Sequence, residues 1–242
     1  MSKQRTKPKA AQQLAYANTI SFDSYAKRRP ILTPKSLKQE EYIDLLTTPE
    51  KLIVFAVGPA GTGKTLLAVL AGIQALRDGL VKKIVITRPA VGVDDEDHGF
   101  LPGDINMKMA PWVKPIFDVV LDYYNHRELA RMLEDEIIEL SPLAFMRGRS
   151  FSNCWIIADE MQNATPNQVK MLLTRIGANT KLIVTGDTRQ TDRPGDTNGL
   201  VNFQKISNNF SNHKYIAGVE FTGKDIQRHA AVAEVLRIYG DI

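Results

Sequence analysis

Cysteine is almost absent: Cys154 is the only one in 242 residues, so no internal disulfide can form. Lying in an apolar run, it reads as a small buried side chain in a reducing compartment. The paired-ligand spacing of a zinc site is missing as well, and His98, His126, His213 and His229 are scattered without metal spacing. No run of 18 apolar residues follows the basic N-terminus, so neither a signal peptide nor a membrane span is expected. A cytoplasmic chain with no membrane partner is the expectation. Internal repeats and low-complexity tracts are also lacking.

What is present suffices for a core. Hydrophobic residues make up 43% of the chain, enough for one large domain or one domain with appendages. The net charge of +4 is unevenly spread. Residues 1–38 hold nine Lys and Arg against one acid, Asp23, an excess of +8. The remaining 22 basic and 26 acidic residues leave −4. A basic arm suits a polyanion such as nucleic acid, and it equally suits a solvated tail.

The stretch at 58–65, Gly-Pro-Ala-Gly-Thr-Gly-Lys-Thr, fits the phosphate-loop pattern G-x-x-x-x-G-K-[ST] without departure. Glycines 58, 61 and 63 allow backbone conformations that turn N–H groups inward around an anion. Pro59, Ala60 and Thr62 complete the loop, Lys64 can reach β- and γ-phosphates, and the Thr65 hydroxyl can ligate Mg²⁺. Residues 52–57 read as a buried parallel strand and Lys64–Arg77 as a helix, so the loop feeds a helix N-terminus, where phosphate is favoured.

Along the chain, 1–19 lack a sustained apolar period, and 30–37, with two prolines, read as an extended linker. A helix is expected over 36–47, with Ser36 as N-cap and Gln39 placed as in a capping box. A strand at Lys83–Thr87 is followed by a polar insertion at 90–110, long enough to suggest a functional loop. Helices are expected at 111–125, 126–134 and 166–176, and strands at 136–140, Cys154–Ala158, 181–185 and 214–219. A loop occupies 186–199, and a last helix over 223–239, capped by Thr222 with Asp225, carries Arg228 and His229. Such alternation implies a parallel sheet covered by helices on both faces, with ligands at the carboxyl ends of its strands.

Two further strand ends carry candidate chemistry. Asp159, ending an apolar strand, suits Mg²⁺ coordination, and Glu160 suits orienting or deprotonating an attacking water. After the next apolar strand, Thr185-Gly186-Asp187-Thr188-Arg189-Gln190 offers Gln190 as a γ-phosphate or water sensor and Asp187 as its support. Arg228 offers the arginine that phosphoryl transfer uses against developing charge; a solvated helix arginine is its plainer reading.

Residues 31–240 resemble the PhoH-like ATPase family. The resemblance rests on the phosphate loop, Thr-Arg-Pro-Ala at 87–90, Gly-Phe-Leu-Pro-Gly-Asp at 99–104 and Met-Arg-Gly-Arg-Ser-Phe at 146–151. It continues through Asp-Glu-Met-Gln-Asn at 159–163, Leu-Thr-Arg-Ile-Gly at 173–177, Thr-Gly-Asp at 185–187 with Gln190 and Asp192, and Gly-Leu at 199–200. Asp95-Glu96-Asp97-His98 departs from the Gly-Glu that family members often carry, and Arg193 stands where an apolar residue is usual. The family in turn resembles the first motor domain of superfamily 1 helicases.

The resemblance implies a P-loop NTPase with a single RecA-like core at 30–242, preceded by a basic arm at 1–29. It implies ATP and Mg²⁺ as cofactors, RNA or single-stranded DNA as partner, and a homo-oligomeric, hexameric ring. By the same analogy Gln39 reads the adenine edge, Gln162 couples nucleotide state to nucleic acid, and Arg228 acts in trans. Some relatives carry a PIN nuclease domain; about 30 residues precede the core, so none is expected in this chain. Two other classes stay open: an ATP-switched binding protein with slow hydrolysis, and a small-molecule kinase, against which Glu160 and the Gln190 box argue.

Overall fold

In the computed structural model, residues 29–89, 105–190, 198–207 and 213–239 are described. Their strands are β1 (Ile53–Val57), β2 (Lys83–Thr87), β3 (Ile138–Leu140), β4 (Cys154–Ala158), β5 (Lys181–Gly186) and β6 (Ile216–Glu220). The helices are α1 (Leu37–Thr47), α2 (Lys64–Arg77), α3 (Ile105–Leu121), α4 (His126–Glu134), α5 (Pro166–Leu173), α6 (Gly199–Ile206) and α7 (Ala230–Tyr239). The strands form one parallel sheet in the order β3-β2-β4-β5-β1-β6. The expected α/β P-loop architecture with a RecA-like sheet is therefore present.

The central strands are buried along their whole length, because helices cover both faces. Alternation still sorts their side chains. Val54, Ala56, Trp155, Ile157 and Ile183 pack beneath α1 to α4, with Leu67, Ile73, Val113 and Met132 among the helical partners. Phe55, Val57, Ile156, Ala158 and Val184 face the other way, against Val169 of α5 and Leu200 of α6. Truncating a core residue such as Ile157 to Ala would cost about 2–5 kcal/mol.

Gly72, inside α2, is explained by this packing: a Cβ there would lie 2.7 Å from Trp155 Cδ1, and the Trp155 indole N–H donates to Ala68 O at 3.0 Å. The ~1 kcal/mol that glycine costs a helix interior is thus accepted for close approach to β4.

α1 is held at both ends. Ser36 Oγ accepts from Gln39 N at 3.3 Å, as expected of the N-cap. The reciprocal half of a capping box is absent, because the Gln39 side chain goes elsewhere. At the other end Lys181 Nζ, buried at the start of β5, donates to Leu45 O, Leu46 O and Thr48 O at 2.9, 2.6 and 2.8 Å. Leu45 O and Leu46 O are carbonyls that the helix leaves unpaired, and Thr48 is its C-cap residue.

Several boundaries differ from expectation. α3 begins at Ile105 within the expected insertion, where Met107, Lys108, Met109 and Ala110 are good helix formers. α6 was not expected: it starts at the last residue of the expected loop, capped by Asn198 Oδ1 accepting from Leu200 N and Val201 N. The final helix divides: a 3₁₀ turn at Gly223–Asp225 is followed by non-helical residues 226–229, and α7 starts at Ala230. The break has a tertiary cause, since Gln227 N donates to Gly61 O at 2.8 Å instead of into a helix. Arg228 and His229 therefore precede the last helix. The basic arm apart from Arg29, most of the polar insertion, Asp192 and Arg193 lie outside the described residues.

Candidate active site

Sheet order brings the site together. β5 separates β1 from β4, and the registers Val57↔Gly186 and Ala158↔Val184 align their carboxyl ends. The phosphate loop thus emerges beside Asp187, and Asp159 beside Thr185. Both Asp159 and Thr185 continue the alternation that points toward α2, the helix fed by the loop.

Positive backbone angles shape that loop. Gly61 has φ +83° and Gly63 φ +84°. Gly63 is also the N-cap of α2 and makes no side-chain cap, so the first amides of the helix have no side-chain acceptor from that position. Lys64 Nζ lies folded over the loop, donating to Gly58 O at 2.6 Å and Pro59 O at 2.7 Å. Burial is the largest influence on this ammonium and pulls it below its ordinary value. Asp187, Glu160 and Asp159 oppose that pull, while Arg228 adds to it, so five charged groups share one field.

Asp159 Oδ1 accepts from Thr65 Oγ1 at 2.7 Å and from Thr185 Oγ1 at 2.5 Å. A hydroxyl and a carboxylate converging at a helix N-terminus are hard oxygen donors of the kind Mg²⁺ takes. Among the described residues no group of three His, Cys, Asp or Glu side chains could hold a metal by itself. The donor set therefore fits an ion held by one carboxylate, one hydroxyl and phosphate oxygens.

Glu160 adopts a left-handed backbone, φ 55° and ψ 38°, which few residues other than glycine and asparagine take readily. Its Oε2 accepts from Gln162 Nε2 at 2.5 Å, and Gln162 Oε1 accepts from Asp187 N at 3.1 Å. Asp187 Oδ1 accepts from Arg189 N at 3.0 Å, forming the turn that presents the exposed Gln190. A cleft of about 270 Å³ is lined by Lys64, Thr65, Asp159, Glu160, Asp187 and Gln190 together with loop residues. Six residues singled out in the sequence are thus brought together.

Two others take unexpected positions. Arg228 lies over the phosphate loop of its own chain: a Cβ on Gly61 would meet its side chain at 2.4 Å. Gln39 is buried, with Oε1 accepting from Lys35 N at 2.8 Å and Nε2 donating to Thr62 O at 3.0 Å. It forms part of the wall of a second cleft, about 420 Å³, with Ile31, Leu66, Leu70 and Gln227, which shares Gly61, Gly63 and Leu66 with the first.

The sequence reading did not pair Thr185 with Asp159, nor Tyr42 and Gln227 with the loop. Tyr42 Oη donates to Lys64 O at 3.3 Å and Gln227 N to Gly61 O. A threonine at a strand end was a visible signal for Thr185; the other two carry none, because they depend on which elements pack together.

A family model described as PhoH-like protein matches residues 31–240. A PhoH-like protein of Bacillus subtilis is 41% identical over 206 residues, covering 85% of this chain and 63% of its own. One from Mycobacterium bovis is 38% identical over 224 residues, 92% of this chain and 62% of its own. Protein PhoH of Escherichia coli K12 is 40% identical over 192 residues, 78% of this chain and 53% of its own. The chain thus spans between about half and two thirds of the length of these relatives. No helix among the described residues is long and apolar enough to cross a membrane.

Proposed function

The chain belongs to the PhoH-like protein family, and from that premise we propose that it is a Mg²⁺-dependent ATPase coupled to RNA or single-stranded DNA and active as a homo-oligomer. The observation that carries the proposal is the meeting of Thr65, Asp159 and Thr185 beneath the phosphate loop, with Glu160 as the next residue. The hydroxyl and the carboxylate would serve Mg²⁺–nucleotide binding in any case; Glu160 beside them is what adds hydrolysis to the reading.

The amides of 61–65 and the Lys64 ammonium hold the β- and γ-phosphates. Mg²⁺, when bound by Thr65 and Asp159, supplies charge neutralisation on the phosphate oxygens. Glu160 takes a proton from the attacking water, whose oxygen bonds to the γ-phosphorus as the bond to ADP breaks. Gln190 senses the γ-phosphate, and Arg228 stabilises the charge that develops there. The second cleft suits the base, with Ile31, Leu66 and Leu70 as apolar surface.

Nucleic-acid coupling is supported by the basic arm and by the resemblance to helicase motor domains. A second reading, an ATP-switched binding protein with slow turnover, is favoured by the bond that engages the Glu160 carboxylate with Gln162.

Steady-state ATP hydrolysis, wild type beside Glu160→Gln, with and without single-stranded RNA and DNA, tests the proposal. Stimulation by one polymer that disappears in the variant is the expected result. Slow turnover indifferent to both polymers would favour the switch, and none at all would remove the ATPase reading.

A further inference from the structure

We propose that Gln162 is a positioning residue that ties the carboxylate of Glu160 to the end of β5, so that events at Asp187 and Gln190 set where that carboxylate stands. The proposal rests on the ATPase reading and deepens it: hydrolysis is gated by the strand end that faces the γ-phosphate.

The geometry is a two-ended bridge. Gln162 gives its only side-chain N–H₂ group to Glu160 Oε2 at 2.5 Å, a short bond of the charge-assisted kind. Its only side-chain oxygen accepts from the Asp187 N–H at 3.1 Å. An amide is the side chain that can serve a carboxylate at one end and a backbone N–H at the other. The residue is 4% exposed, so neither end is readily replaced by water.

The surroundings leave no slack. A Cβ on Gly186 would lie 2.7 Å from Gln162 Oε1 and 2.8 Å from Leu200 Cδ2. The 3₁₀ turn at Met161–Asn163 is buried, and Gly199 N donates to Ala164 O at 2.8 Å, fastening α6 to the same corner. In tightly packed surroundings a displacement of the 186–187 peptide is passed on rather than absorbed. Gln190 N donates to Asp187 O at 3.2 Å, so a pull on Gln190 is applied one peptide away from the bridge.

A purely packing role for Gln162 is separated from this by two variants. Gln162→Leu fills the space and removes both bonds. Gln162→Glu keeps the acceptor for Asp187 N–H and sets a second carboxylate against Glu160. Both are expected to lower kcat, by up to about 10²-fold for a misplaced catalytic group, with KM for ATP unchanged. In the Glu160→Gln background, Gln162→Leu should have no further effect on kcat. Losses that multiply, or a KM that rises in step with the fall in kcat, would overturn the proposal.

A second measurement needs neither turnover nor a folded variant. In ¹⁵N spectra of the wild-type protein, a non-hydrolysable ATP analogue with Mg²⁺ should shift the Asp187 amide and the Gln162 side-chain amide together. Movement of Asp187 alone would overturn the bridge, and so would an analogue that shifts neither. If the wild type hydrolyses no nucleotide, the ATPase reading fails, whereas the spectra still decide whether strand end and glutamate are tied.

Discussion

The stem of Arg228 lies across Gly61 of the phosphate loop, so closely that a Cβ on Gly61 would stand 2.4 Å from Arg228 Nε and 2.9 Å from Cγ. Glycine at 61 thus serves twice: it takes φ +83° and leaves room for the arginine. Gln227 N, bonded to Gly61 O, holds the segment there.

This arrangement predicts an arginine that acts within its own chain. Arg228→Ala should lower kcat, by about 10³-fold if it acts as arginine fingers do elsewhere, without lowering the melting temperature. Mixing it with Glu160→Gln protein should restore nothing, since neither chain then carries a complete site. Recovery of activity on mixing would assign the arginine to a neighbouring subunit instead.

Thr185 should prove part of the metal site. Thr185→Val keeps the shape of a fully buried side chain while removing the hydroxyl that donates to Asp159. Loss of a hydrogen bond to a buried charged group costs about 1.5–3 kcal/mol, measurable by urea titration. The Mg²⁺ concentration for half-maximal hydrolysis should rise, because Asp159 keeps only the Thr65 hydroxyl to orient it. An unchanged Mg²⁺ requirement would reduce Thr185 to a packing residue.

Gln39 engages both ends of its amide with backbone, at Lys35 N and Thr62 O. Gln39→Leu should therefore weaken all nucleoside triphosphates alike, because it releases the loop that holds their phosphates. Competition of ATP with GTP and CTP reads this directly. A selective loss of ATP binding would show that the amide turns to the adenine edge when nucleotide binds.

Lys181 gives a pH signature. Burial pushes its ammonium down to about 8, with Glu50 opposing. The unfolded chain keeps an ordinary lysine near 10.4, so between about pH 8 and that value it binds more protons than the folded state. Stability from this group rises with pH across that window. Unfolding free energies of wild type and Lys181→Met, compared at pH 7 and pH 10, should shift in favour of the wild type at the higher pH. No change in the difference would mean that the carbonyls of Leu45, Leu46 and Thr48 hold the ammonium near its ordinary value.

The chemistry that depends on contiguous residues was legible. Gly58 to Thr65 adopt the expected strand–loop–helix setting because glycine conformations and apolar runs are local properties. Asp159, at the end of β4, was legible for the same reason. Gln190 and Glu160 could be named from strand-end position, though not the bond joining Glu160 to Gln162.

What escaped lies in long-range contacts. The split of the last helix was illegible because residues 226–229 have no local reason to avoid helix; Gly61 O, more than 160 positions earlier, competes for their N–H. α6 is only eight residues long, and its cap, Asn198, resembles any turn residue. The destination of Gln39 could not be read either, since Ser36 offered a plausible local partner and Thr62 O a distant one.

Sequence alone therefore determined which groups are available: a loop that can wrap phosphate, a carboxylate at a strand end, and a parallel sheet to carry them. Tertiary structure decided which groups meet. Insertion of β5 between β1 and β4 sets Thr185 against Asp159 and Asp187 against Gln162. Strand order arises from packing of the whole sheet between its helices, a long-range balance that no local pattern encodes.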